Sequence, residues 1–323
     1  MLNQDHKFSL MHFRNSGDEF GSRPIDCFPL NIGAFLPQAN HFYHLHQSWL
    51  IMFEKVTENV YAITDGSTVG NVGLIALESG KFLIDTSMYP KVAREIRQSL
   101  ETIRGGQLLG GVFTHYHFDH TGGSQVFHDV PMYGHQLALQ NFEKNYMTEE
   151  FLDRVRKQDE QFLDLEPTPP SRVFSTNPFV PEEIDNVEII HTGGHTSGSV
   201  LIHLKTDNVI FAGDNLFVGR FPWGGDPTAS PYDWKSAMER ILEIRPEWVI
   251  PGHGSPVDTL EVIKTYHEYM GKIIDLGEKL RNEGIPEDKA MEEVMEIDFL
   301  PEAREGMKAG TLQRWISVIY QRT

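Results

Sequence analysis

Four short segments of the chain combine histidine or aspartate with glycine, and each follows an apolar run typical of a buried strand. The densest, THYHFDHTGG at residues 114–123, places three imidazoles and a carboxylate within six residues. The others are GHTSGS with His195, FAGDN with Asp214 and PGHGS with His253. Ligands of α/β proteins usually bind at the carboxyl ends of strands. The segments therefore predict an α/β fold in which several strand ends carry one site.

The first segment can bring four donor side chains together by local geometry alone. Alternate residues of an extended chain share a face, so His115 and His117 point the same way. Asp119 and His120 follow on the turn into a helix. A single histidine at a strand end is more often structural than a ligand, but four donors in one turn indicate a metal site.

These motifs resemble those of the metallo-β-lactamase-fold superfamily of metallohydrolases, and the resemblance covers residues 53–258. It implies an α/β fold, an αββα sandwich of two mixed sheets flanked by helices. Residues 1–52 have no clear hydrophobic period and are predicted to form an N-terminal extension. Residues 259–323 have helical spacing and are predicted to form a helical segment packed on the same domain.

The resemblance also implies two divalent metal ions. One would be held by His115, His117 and His195, the second by Asp119, His120 and His253, with Asp214 bridging both. Zinc is the preferred ion, and iron or manganese also suits a set of nitrogen and oxygen donors. Asp85, in the stretch LIDTS, matches a strand-end aspartate of the superfamily, which would orient ligand histidines. An aspartate that only caps a turn is the alternative.

Two metal ions predict a hydrolase in which a bridging hydroxide is the nucleophile. Asp119 is the candidate catalytic residue, because its carboxylate could orient the hydroxide or accept its proton. The predicted substrate is a small ester, thioester or lactone. A β-lactam hydrolase and an iron-dependent sulfur dioxygenase on the same scaffold are the alternatives. A purely structural metal site is disfavoured, because such sites are closed and often contain cysteine.

The loop after the FAGDN segment is rich in aromatic residues and glycine, and it is the predicted wall of the substrate pocket. Its candidate substrate contacts are Arg220, Phe221 and Trp223. Arg220 could contact an anionic group. The loop could equally pack against the N-terminal extension or against a second subunit, and this alternative includes a homo-oligomer formed through the extension.

Charge and cysteine content limit the partners and the compartment. Lys and Arg number 28 and Asp and Glu number 46, which gives a net charge of −18 and disfavours nucleic acid as a partner. The lone cysteine, Cys27, cannot form an internal disulfide, which fits a reducing compartment. The first residues lack a continuous hydrophobic region typical of a signal peptide, and no apolar run is long enough to cross a bilayer. We expect a cytoplasmic enzyme with a small-molecule substrate and no membrane association.

Overall fold

Two β-sheets packed against each other form the centre of the molecule in a computed structural model, which describes residues 52–299 and 305–322. The first sheet has seven strands in sequential order: β1 (Glu54–Lys55), β2 (Val60–Ile63), β3 (Val72–Leu77), β4 (Gly80–Ile84), β5 (Leu108–Val112), β6 (Met132–His135) and β7 (Arg172–Phe174). The second sheet has four strands in the order β11-β10-β9-β8: β8 (Val187–His191), β9 (Val200–Leu204), β10 (Val209–Phe217) and β11 (Trp248–His253). Residues 1–51 of the predicted extension, with Cys27 and the proposed oligomer contact, lie outside the described residues.

Both sheets are mixed. In the first, β1 to β4 pair antiparallel and β4 to β7 pair parallel. In the second, β8, β9 and β10 pair antiparallel, while β10 and β11 are parallel. Every residue of β4 and β10 is buried, and both strands are mostly apolar; the polar exceptions are Lys81 in β4 and Asp214 and Asn215 in β10.

Eight helices in the described part of the chain cover the sheets and follow them. They are α1 (Pro90–Ser99), α2 (Phe118–Thr121), α3 (Gln136–Tyr146), α4 (Glu149–Gln158), α5 (Pro231–Ile244), α6 (Glu261–Asn282), α7 (Glu287–Met295) and α8 (Glu305–Gln321). The predicted α/β sandwich of two mixed sheets flanked by helices is confirmed. Strands β6 and β7 have little signal in the sequence, because they have only four and three residues and include glycine, histidine and arginine.

Two apolar clusters hold these layers together. One lies between the sheets and includes Phe82, Val112, Ile202 and Phe211. The other joins the second sheet to α5, α6, α7 and α8. The helical spacing predicted for residues 259–323 is seen in α6, whose apolar positions are buried in this second cluster: Ile263, Tyr266, Met270, Ile273 and Ile274. The C-terminal helices are thus packed on the second sheet through their apolar faces.

Among the helices of the described ranges, 52–299 and 305–322, none combines the length and the apolar character that a membrane span requires.

Two histidines stack at the ends of strands from different sheets. His135 ends β6 and His191 ends β8, and their ring centroids lie 3.7 Å apart with an interplanar angle of 6°. The Nε2 of His191 lies 2.8 Å from the carbonyl oxygen of Ser197, and Nδ1 of His135 accepts from the N–H of Leu137 at the start of α3. Burial, with a smaller contribution from His191, lowers the pKa of His135 to about 4.

This low pKa predicts a loss of stability on acidification. The unfolded chain takes up a proton on His135 near pH 6.5, whereas the folded chain resists protonation until about pH 4. The free energy of unfolding is therefore unaffected by this group above pH 6.5 and falls as the pH drops towards 4. By pH 5 the decrease is roughly 1 to 2 kcal/mol. We expect His135→Asn, which keeps a helix-capping acceptor, to lose less stability than the wild type between pH 7 and pH 5 in urea unfolding. His128→Asn, at an exposed histidine, should lose as much as the wild type; an equal decline in all three proteins would contradict the prediction.

Candidate metal centre

The seven predicted ligands form two adjoining groups that share one carboxylate. The first group is His115, His117, His195 and Asp214; the second is Asp119, His120, His253 and Asp214. Within each group, one potential ligand atom per residue lies within 4.8 Å of all the others. The structure therefore brings together donors that are spread over 139 positions of the chain, from 115 to 253 counted inclusively.

Asp214 lies between the two groups. Its Oδ1 is 3.1 Å from Nε2 of His120, and its Oδ2 is 3.3 Å from Nε2 of His195 and 3.5 Å from Nε2 of His253. His115 is slightly farther, with Nε2 at 3.9 Å from Oδ2. Each oxygen of this carboxylate thus faces imidazole nitrogens, and the two groups meet at its side chain.

The ends of parallel strands place the donors at one edge of the sandwich. His115 and His117 follow β5, Asp214 lies in β10, and His253 is the last residue of β11. The second sheet can close around Asp214 because Gly252 has no side chain: a Cβ at this position would overlap Oδ1 of Asp214 and the backbone of Gly213. Gly252, the first glycine of the PGHGS segment, is therefore needed for the close approach of the two strands.

Unpartnered polar atoms concentrate in this cluster. Eleven buried side-chain nitrogen or oxygen atoms of the described residues lack a hydrogen-bond partner, and six of them belong to the predicted ligands: His115 Nε2, Asp119 Oδ2, His120 Nε2, His195 Nδ1, Asp214 Oδ1 and His253 Nε2. Buried polar groups normally have partners, because leaving one unpaired costs about 1 to 3 kcal/mol. Five of the six are atoms that face the other donors, and a set of imidazoles and carboxylates is the donor chemistry that divalent zinc, iron or manganese accepts.

Hydrogen bonds on the far side of the rings fix which nitrogen is available. The Nδ1 of His253 lies 3.1 Å from the carbonyl oxygen of Val69, so it carries the proton. The Nδ1 of His120 lies 2.8 Å from Oδ2 of Asp85 and donates to it. The Nε2 atoms of both rings are then free to present lone pairs to a cation.

Asp85 organises a second ring through Thr114. The carboxylate accepts from the backbone N–H and the hydroxyl of Thr114, both at 2.8 Å. Since that hydroxyl has given its only proton to Asp85, it accepts from Nδ1 of His115 at 3.0 Å, which leaves Nε2 of His115 as the lone-pair atom. The backbone contact is with a residue 29 positions away in the chain, so it does not cap a local turn; the described hydrogen bonds of the Asp85 carboxylate go to Thr114 and His120.

Asp226 orients a third ring and was missed in the sequence. Its Oδ2 accepts from Nε2 of His117 at 2.9 Å and from the hydroxyl of Tyr116, and its Oδ1 accepts from the backbone N–H and hydroxyl of Thr228 at 2.7 and 2.5 Å. The side chain is 1% exposed. With Nε2 as donor, His117 presents Nδ1 to the cluster, where it lies 2.8 Å from Nε2 of His195.

A family model for the metallo-beta-lactamase superfamily matches residues 65–253, which is 189 of the 323 residues. The chain belongs to this superfamily. The match begins in the loop after β2 and ends at His253, so it includes all seven predicted ligands.

Curated relatives of the chain include two animal proteins and one bacterial protein. An acyl-coenzyme A thioesterase, MBLAC2 of Gallus gallus, is 26% identical over 180 residues, which cover 52% of this chain and 64% of that protein. A beta-lactamase-like protein 2 homolog of Drosophila melanogaster is 25% identical over 200 residues, covering 58% and 59%. The probable metallo-hydrolase YflN of Bacillus subtilis is 27% identical over 221 residues, covering 58% and 82%. The chain thus spans less than two thirds of the length of the first two relatives.

Solved structures share the superfamily fold at low sequence identity. The DIM-1 metallo-beta-lactamase aligns with a TM-score of 0.54 and 21% identity, over 68% of this chain and 96% of that one. The inverting sec-alkylsulfatase Pisa1 of Pseudomonas sp. aligns with a TM-score of 0.65 and 17% identity, over 84% of this chain and 50% of that one. At these identities the likeness concerns the fold alone.

The electrostatics of the cluster divide four of its histidines into two kinds. Burial lowers the pKa of His195 to about 3 and holds that of His115 well below its usual value. Burial acts in the same direction on His120 and His253, but Asp214 and the other nearby carboxylates outweigh it and raise the pKa of both. Protons on these two rings therefore compete with a cation for the same nitrogen atoms, so metal binding should weaken as the pH falls.

The carboxylates of the cluster are held ionised. Burial works to raise the pKa of Asp214, but His253, His120 and His195 together keep it well below the usual range. The same balance, dominated on the lowering side by His120 and His253, depresses the pKa of Asp119. Two carboxylates that stay charged at neutral pH are suited to cation binding.

The cluster opens on the side of Asp119 and His117. Their side chains are 15% and 10% exposed, whereas those of His115, His120 and His195 are at most 1% exposed. A substrate can therefore reach the cluster past Asp119 and His117.

Aromatic rings from the end of β10 and from the loop after it line the cluster. The ring centroid of Trp223 lies 5.3 Å from that of His117 and 5.8 Å from that of His195. Phe217 stacks on His253 at 5.2 Å and 14°, and the guanidinium carbon of Arg220 lies 5.4 Å from the Phe217 centroid. Two of the predicted substrate contacts, Trp223 and Arg220, are thus near the cluster.

Phe221 is placed differently from its two neighbours. Its side chain is 1% exposed, and its ring packs against Tyr269 and Phe299 at centroid distances of 5.9 and 5.2 Å. Among the described ring contacts of Phe221, none is with a residue of the ligand cluster. Its role in substrate binding stays a prediction.

Proposed function

We propose that the protein is a binuclear metal-dependent hydrolase of small thioesters, within a wider range that includes esters and lactones. The observation that carries the proposal is the pair of donor groups that meet at Asp214. A structural metal site is usually closed by four protein ligands, whereas this cluster is reached from outside past Asp119 and His117.

Each donor group has a defined task in this proposal. His115, His117 and His195 would hold one cation, Asp119, His120 and His253 the other, and Asp214 both. Divalent ions, zinc by preference, would lower the pKa of water to about 7 and polarise the substrate carbonyl oxygen. Asp119 is ionised and lies at the opening, so its carboxylate can orient the attacking water and accept its hydrogen bond.

The open side of the cluster suits an acyl group that carries or neighbours an anion. The indole of Trp223 offers an apolar surface beside His117 and His195. Arg220 contributes positive charge near the second group, where its field opposes the carboxylates that raise the pKa of His253. Three relatives are named as acyl-coenzyme A thioesterases, which supports a thioester as the substrate. An acyl-coenzyme A combines an apolar acyl chain with an anionic carrier.

A substrate panel tests the proposal. The zinc-, manganese- and iron-loaded proteins are assayed with acetyl-, butanoyl- and decanoyl-coenzyme A, p-nitrophenyl butanoate, γ-butyrolactone, a chromogenic cephalosporin and glutathione persulfide. We expect hydrolysis of a coenzyme A thioester at the highest kcat/KM, and loss of that activity when a chelator removes the metal. Preferred cleavage of the cephalosporin, or oxygen consumption with the persulfide and no hydrolysis, would refute it in favour of the β-lactam hydrolase or the sulfur dioxygenase.

A further inference from the structure

A threonine of the C-terminal helix holds the loop that carries Trp223. The hydroxyl of Thr311, in α8, donates to the carbonyl oxygen of Pro222 at 2.9 Å and accepts from the N–H of Gly224 at 2.8 Å. Pro222 and Gly224 are the two residues that flank Trp223 in the chain. Thr311 is completely buried, and one hydroxyl therefore fixes the backbone on both sides of the indole.

The contact between this loop and α8 is tight enough to require glycine. A Cβ at Gly224 would lie 2.8 Å from Cγ2 of Thr311, 2.9 Å from Nε1 of Trp315 and 3.0 Å from Cζ3 of Trp234. Real side chains essentially never approach so closely. An alanine at position 224 would therefore push the loop away from the helix without removing the hydroxyl of Thr311.

The rest of the loop is held by the same C-terminal helices. The hydroxyl of Tyr266, in α6, donates to the carbonyl oxygen of Phe217 at 2.7 Å. At the other end, Nε of Arg314, in α8, donates to the carbonyl oxygen of Ala229 at 3.2 Å. The Thr311 contact lies between these two anchors and is the one adjacent to Trp223.

We propose that Thr311 is a positioning residue that fixes Trp223 as a wall of the substrate site, so that the C-terminal helix takes part in substrate discrimination. The proposal rests on the proposed function for the identity of the substrate. Trp223 is half-buried, and its ring contacts His117, one of the two ligands at the opening. A displaced indole would remove apolar surface from the acyl chain while leaving the seven donors in place.

Thr311→Val tests this inference, because valine keeps the shape of threonine and loses both hydrogen bonds. For decanoyl-coenzyme A we expect KM to rise about tenfold with kcat within a factor of about three, the pattern of lost uniform binding. Metal content should not change. Thr311→Ser keeps the hydroxyl and should restore the KM, and Gly224→Ala should reproduce the effect of Thr311→Val. Thr265→Val is the matched control, since the Thr265 hydroxyl donates to the Glu261 carbonyl oxygen within exposed α6 surface.

A second readout follows Trp223 itself. Acrylamide quenching is compared between each variant and the same variant carrying Trp223→Phe, and the difference gives the accessibility of this indole. Thr311→Val should make Trp223 more accessible, and Thr265→Val should not. An unchanged accessibility would overturn the inference, as would a more accessible Trp223 with an unchanged KM. If the wild type cleaves no thioester, the proposed function fails, and the quenching result still decides whether Thr311 positions Trp223.

Discussion

Replacing Asp214 by alanine is expected to lower kcat/KM for the preferred substrate by at least about a thousandfold, which corresponds to about 4 kcal/mol of lost transition-state stabilisation. Asp214 is the residue that belongs to both donor groups, and its oxygens lie 3.1 Å from His120 and 3.3 Å from His195. Its removal takes a ligand from each group at once. The bound metal, measured by inductively coupled plasma mass spectrometry after dialysis, should fall from two ions per chain to one or none.

Asp164→Ala is the matched control for this change. Asp164 pairs with Arg94 at 2.8 Å on the surface, where its side chain is 55% exposed. Exposed pairs of this kind contribute at most about 1 kcal/mol, so activity and metal content should stay at wild-type values. Retention of two ions and of activity within about tenfold in Asp214→Ala would contradict the shared-ligand assignment.

The ligand set was accessible from the sequence because each donor segment follows or contains an apolar run: His115 follows β5, Asp214 lies within β10, and His253 ends β11. The carboxyl ends of parallel strands meet at one edge of a sheet. Once β10 and β11 pair in parallel, Asp214 and His253 must lie near each other. The packing of the two sheets then brings the donors of residues 115–120 next to Asp214 and His253.

The residues that support the ligands could not be found in the same way. Asp226 reaches His117 across 109 positions of the chain from an irregular loop, where no period or motif marks it. The direction of neighbouring aromatic side chains in that loop is likewise set by tertiary packing: Trp223 turns to the ligands, whereas Phe221 turns to α6. A buried tyrosine hydroxyl that needs an acceptor, as at Tyr116, was the one available signal for Asp226.

Asp226→Asn is expected to weaken metal binding in the first group by about 10- to 100-fold, the usual cost of losing a carboxylate behind a ligand histidine. Burial works to raise the pKa of Asp226, but the hydrogen bond and charge of His117 outweigh it and depress the pKa, so the carboxylate is ionised at neutral pH. Asparagine keeps the size of the side chain and loses the charge. Its amide can also turn N–H towards Nε2 of His117, which would move the ring proton to Nδ1 and block the nitrogen that faces His195.

The effect of Asp226→Asn should be confined to one of the two ions and should depend on pH. Competition with a chromogenic chelator at pH 7.5 should show one weakened and one unchanged site. Within the described part of the chain, the side chain of Asp226 hydrogen-bonds to Tyr116, His117 and Thr228, and of these only His117 is a ligand, in the first group. Asp233→Asn, at an exposed aspartate of α5, should leave both sites unchanged.

In the metal-free protein, the stabilisation from ionised Asp226 is present above the ordinary carboxyl pKa of about 3.9 and is lost as the pH falls through its lower folded value. The stability difference between wild type and Asp226→Asn should therefore be largest near neutral pH and shrink in acid; equal weakening of both metal sites, or a difference that grows in acid, would argue against a role in orienting His117.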